Sequence, residues 1–116
     1  MKKTITLLTI LVVVLFAACS KKSTSGKSVK EEPTVYTVNI LPLIQSKCTP
    51  CHLPSKGGFK ADFENYTSAI KYGTDMLTRI QLNPGERGFM PFKHEKLSVD
   101  EITIFKKWVA GGMLEK

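Results

Sequence analysis

The sequence predicts an all-α domain of about four short helices. Three observations carry that expectation. The stretch from Leu97 to Gly112 has the caps and the 3.6-residue apolar spacing of a helix. Val35-Tyr36-Thr37-Val38 alternates briefly as an extended lead-in, and no second run alternates to pair with it. Cys48-Thr49-Pro50-Cys51-His52 sets two thiols and an imidazole on one short segment. A group held there would give small helices a surface to pack on. The folded part is about 80 residues, a size at which a core alone is marginal.

The chain divides into three parts. Residues 1–18 read as a cleaved secretory signal: Lys2 and Lys3 are basic, Ile5 to Phe16 is almost wholly apolar, and Ala17-Ala18 follow. That run is too short and wrongly flanked for a membrane span. Leu15-Phe16-Ala17-Ala18-Cys19 resembles the lipobox of bacterial lipoproteins, with Phe16 where an aliphatic residue is usual. The resemblance implies cleavage before Cys19 and lipid on its sulfur. It also implies an exported protein anchored to a membrane and facing the periplasm or cell surface. With Ser20 rather than Asp after the cysteine, the same resemblance implies the outer membrane more than the inner. Residues 19–35 are polar and rich in Ser and Lys, which predicts a flexible tether. Its 17 residues would span roughly 20–25 Å on average.

Residues 36–116 form the domain. The whole chain has a net charge of +7, but this part holds 11 basic against 8 acidic residues, a net +3. No basic stripe is interleaved with aromatics, so nucleic acid is not an expected partner. Asn39 is the expected N-cap of a first helix through about Lys47, with Pro42 in the first turn, where its missing N–H costs nothing. Leu53 to Gly58 reads as a loop. A second helix is expected over Glu64 to Tyr72, ended by Gly73. A third should run from Asp75 to Leu82 with Thr74 as cap, broken by Asn83-Pro84-Gly85. Gly88 to Phe92 is a loop. Ser98 and Glu101 form a capping box for the last helix, with Leu97 and Ile102 as its staple and Ile102, Phe105, Trp108 and Val109 as its apolar face.

Cys48-Thr49-Pro50-Cys51-His52 is the c-type haem attachment pattern. Two thiols at this spacing can add to the two vinyl groups of haem, and the histidine then lies beneath the iron as a ligand. A redox-active thiol pair would need a βαβ surround, and a zinc site would need four well-placed ligands. Neither is evident. With Cys19 lipidated and Cys48 and Cys51 bound to haem, no thiol is left over.

These elements in this order resemble a class I c-type cytochrome, over roughly Tyr36 to Met113. The resemblance rests on Ile40-Leu41-Pro42-Leu43-Ile44 before the haem motif, Gly57-Gly58 after it, Met90-Pro91, and the last helix with Trp108. It implies one haem c attached through Cys48 and Cys51, with His52 and Met90 as axial iron ligands. It implies a small bundle packed around the haem. It implies electron transfer between membrane-associated redox proteins, without bond-making catalysis.

Met90 lies 38 residues after His52 in a Gly/Pro loop able to cross a haem face. His94 is its competitor, read here as an exposed loop residue, while Met76 and Met113 are read as packing residues. Trp108 is expected in the core rather than on a haem propionate. Arg79 and Arg87 are candidates for propionate pairing, and Lys47, Lys56 and Lys93 for steering an acidic partner. Pro54 is the nearest proline whose carbonyl could orient His52. The alternative function is a haem enzyme or gas sensor whose sixth iron position opens.

Overall fold

The computed structural model describes residues 31–116. The signal segment, Cys19 and the tether up to residue 30 lie outside the described residues. Among those described, the elements are helical and none is a strand. A π-helical turn, Tyr36–Ile40, runs straight into α1, Leu41–Lys47. A 3-10 turn follows at Pro54–Lys56, then α2 at Tyr66–Gln81 and α3 at Val99–Ala110. None of these helices is long and apolar enough to cross a membrane.

The extended lead-in expected at Val35–Val38 is instead the start of the π-helical turn. Tyr36 and Ile40 are both buried while Val38 between them is exposed; a strand would put all three on one face, whereas a helical winding turns Val38 away. Asn39 therefore does not precede the helix. It sits inside the turn, and its Oδ1 accepts the Val35 N–H at 2.8 Å. Pro42 falls in the first turn of α1, as expected.

The two helices expected between Glu64 and Leu82 are one. Asn65 caps it by accepting the Ser68 N–H at 3.1 Å. Glu64 stays outside and accepts the Ser55 N–H at 2.9 Å, which pins the 3-10 turn. Gly73 does not end α2, and Thr74 does not cap anything; both are interior. The reason is tertiary. A Cβ on Gly73 would stand 2.5 Å from Met113 Sδ and 3.2 Å from Trp108 Cζ3. Gly73 is there so that α3 can approach closely, and that contact offsets its roughly 1 kcal/mol helix penalty.

The last helix forms as read. Ser98 Oγ accepts the Glu101 N–H at 3.2 Å, and Glu101 Oε2 accepts the Ser98 N–H at 2.8 Å. Leu97 and Ile102 are both buried on either side of that box. Ile102, Phe105 and Trp108 face the core, and Trp108 is fully buried. Its Nε1 donates to the Leu114 carbonyl at 3.0 Å, so its one polar group is used within the protein. Further bonds tie the C-terminal residues to the first turn: Tyr36 N–H donates to Leu114 O at 2.8 Å and Thr37 N–H to Glu115 O at 3.1 Å.

Gly73→Val is expected to lower the unfolding free energy by about 1–3 kcal/mol through overpacking, although helix propensity alone favours leaving glycine. Urea unfolding of the two proteins checks this; unchanged stability would mean that α2 and α3 do not meet closely there. A second expectation concerns acid. The Ser98 N–H, and secondarily Lys47, hold the Glu101 carboxyl below the usual range. Its folded pKa thus lies below its unfolded value of about 4.3, so its contribution is complete above that value and is lost as pH falls through the folded pKa. Thermal melts from pH 7 to 3 should show a steeper acid loss in the wild type than in Glu101→Gln.

Candidate functional site

The Cys48–His52 segment is one further turn of chain after α1. Cys48 N–H donates to Ile44 O at 2.9 Å, His52 N–H to Cys48 O at 3.1 Å, and Leu53 N–H to Pro50 O at 3.0 Å. Leu53 is buried beneath it as an anchor. The loop that follows lies against this turn. Lys60 N–H donates to Cys51 O at 3.0 Å. A Cβ on Gly58 would collide with the Pro50 carbonyl and stand 2.7 Å from Cys51 O, so glycine is required there.

Cys48 and Cys51 are both half-buried and neither is in a disulfide. Burial pushes the Cys48 thiol up to about 12. A thiol–disulfide reagent needs the opposite, a lowered pKa. Cys48 thus lacks the activation expected of an attacking thiol, and no strand among the described residues supplies a βαβ surround. Nor do three or more His, Cys, Asp or Glu side chains gather as a metal cluster among the described residues.

His52 is held on two sides. Its Nδ1 lies 2.9 Å from the Ala61 carbonyl. A carbonyl only accepts, so Nδ1 carries the proton and, in the neutral ring, Nε2 keeps its lone pair for a metal. Pro54 therefore does not supply the orienting carbonyl; Ala61 does. The Phe63 ring stacks on the imidazole with centroids 4.1 Å apart and planes 3° apart.

These residues line one apolar cavity of about 510 Å³, within the roughly 300–1,000 Å³ usual for a bound organic ligand. Cys48, Cys51 and His52 contribute from the motif turn, Met76 and Ile80 from α2, Phe105 from α3, and Met90 and Pro91 from the loop before α3. The four residues singled out from sequence, Cys48, Cys51, His52 and Met90, thus share one space. Met90 is half-buried, and its N–H donates to Arg79 O at 3.3 Å. His94 is exposed, as read, yet also lines the cavity. Met76 is core, and Met113 packs at the Gly73 crossing.

The charged candidates fare unevenly. Arg79 lines the cavity, but its Nε is 2.7 Å from Asp75 Oδ2. Arg87 lines only a separate shallow groove. Lys47 reaches the cavity while pairing with Glu101 at 3.1 Å. Lys56 and Lys93 do not line it, whereas Lys60, which sequence reasoning passed over, does. Sequence reasoning also missed Ala61 and Phe63. A carbonyl acceptor leaves no mark in sequence, and one phenylalanine in a loop carries no periodic signal.

Comparison of the chain with protein-family models, with curated proteins and with solved structures gives no match.

In the chain with both thiols free, Cys48 is expected to alkylate roughly a hundredfold or more slower at pH 8 than in the urea-unfolded chain, because its thiolate is scarce below about 12. Peptide mapping after timed iodoacetamide treatment measures this. Equal rates would mean that the cavity does not desolvate the sulfur.

Proposed function

We propose that this chain is a lipid-anchored, single-haem c-type cytochrome carrying single electrons between membrane-associated redox proteins. One observation carries the reading: two thiols and an imidazole from one turn and a thioether from a loop 38 residues further on line a single apolar cavity. The residues fit haem c. Cys48 and Cys51 would hold it by thioether bonds. His52, with Nδ1 committed to Ala61, offers Nε2 as one axial ligand. Met90 offers sulfur as the other. Haem bound there supplies a one-electron iron couple, and His/Met ligation raises its potential.

The chain's own residues account for the remaining requirements. Apolar walls from Met76, Ile80, Phe105 and Pro91 exclude water and lower the local dielectric. Backbone bonds at Cys48, His52, Lys60 and Phe63 keep the site rigid, so a change of charge brings little reorganisation. The bundle is then packed around the haem, which serves as the core's staple. Lipid on Cys19 and the tether would keep the domain beside its partners. With both axial positions filled there is no place for a substrate, so the protein is not an enzyme in this reading.

The test is expression of the full chain with the haem-attachment machinery of a competent host. The purified protein should carry haem that survives denaturation, with a c-type band in the reduced-minus-oxidised spectrum. Cys48→Ser with Cys51→Ser should abolish it, and colourless wild-type protein would overturn the proposal. Met90→Ala should retain covalent haem, bind carbon monoxide, and lose a sizeable part of the roughly 0.8 V span that axial ligands control. His94→Ala should leave the potential unchanged. Ready carbon monoxide binding by the unmodified protein would instead favour a haem enzyme or gas sensor with an opening sixth position.

A further inference from the structure

We infer that Tyr36 is a positioning residue for His52, acting through Phe63; the role at iron rests on the cytochrome reading above. Tyr36 belongs to the π-helical turn and is buried. Its hydroxyl crosses to another part of the chain and donates to the Phe63 carbonyl at 2.6 Å. The Phe63 N–H donates to the His52 carbonyl at 3.0 Å. Both peptide groups flanking the Phe63 ring are therefore fixed, one to the first turn and one to the histidine itself. The ring has little freedom and lies flat on the imidazole, 4.1 Å away.

The stack does something the Ala61 bond does not. A hydrogen bond tolerates tens of degrees of tilt. A parallel ring in contact does not, because turning the imidazole about Cβ–Cγ drives its edge into the phenyl face. Ala61 sets which nitrogen carries the proton, and Phe63 sets the plane of the ring. Tyr36 holds Phe63 to that task. Burial, and then Asp62, Glu64 and Glu115, raise its phenol to about 12, so it remains a donor at any physiological pH.

Tyr36→Phe removes the donor and leaves the Phe63 carbonyl buried without its partner. The readout is solvent exchange of the His52 Nδ1 proton, followed by NMR in the reduced, matured full-length protein. Exchange is expected to quicken by roughly tenfold or more. Tyr66→Phe is the control: it removes another phenol-to-carbonyl bond, to the Met113 carbonyl at 2.9 Å, and keeps the ring that packs 5.5 Å from that of Tyr36. That variant should leave the exchange as in wild type. Equal quickening in both variants, or none in Tyr36→Phe, would overturn the inference, since Tyr36 would then serve stability alone. Should Tyr36→Phe not fold, Phe63→Leu decides: it keeps both backbone bonds and removes the stack, and unchanged exchange there overturns the inference as well. With haem attached, Tyr36→Phe should also raise the reduction potential, because a looser Nδ1–H bond makes the ligand less basic. If the wild type matures without haem, the cytochrome reading fails, and the same proton measured in the haem-free chain still judges Tyr36.

Discussion

Trp108 is the piece against which the domain is set. Its ring lies over Gly73 of α2, close enough that a Cβ there would stand 3.2 Å from it. It stands 6.1 Å from the Tyr36 ring of the first turn, and its N–H holds the Leu114 carbonyl. One residue therefore fixes α3 against α2, against the start of the domain and against the C-terminal residues. Met76 and Ile80 of α2 and Phe105 of α3 belong to the same buried cluster as Trp108 and also form cavity wall.

The candidate site is held mainly by backbone. The motif turn, the loop over it and the histidine are linked through carbonyls and N–H groups, with Gly58 present because nothing larger fits. Side chains add to it: His52 Nδ1 on the Ala61 carbonyl, the Phe63 ring on His52, Tyr36 gripping the Phe63 carbonyl, and Glu64 on Ser55. A frame of this kind keeps its shape under surface substitution. It depends strongly on the few positions where an aromatic ring or a missing Cβ makes the fit.

What could be read from the sequence was local chemistry. The Ser98–Glu101 box and the Leu97–Ile102 staple involve residues within a few positions of one another, so their spacing alone specifies them. The Cys48–His52 turn and Met90 were legible for a different reason: their side-chain chemistry is rare enough to single out, and both do line one cavity. Gly73 was misread because a glycine's meaning depends on its distant neighbour, here Trp108. Asn39 looked like a cap by type, yet the burial of Tyr36 and Ile40 began the winding earlier. The Ala61 carbonyl could not be foreseen, since every residue carries one.

The bonds from the first turn to Leu114 and Glu115 bear on the order of events in the life of the chain. A polypeptide emerges from its N-terminus, so the earliest turn of this domain waits for residues made some 78 positions later. Closure of these bonds is consequently a late event. Until then the buried Tyr36 and Ile40 of the first turn lack one of the partners that hold that turn in the folded domain.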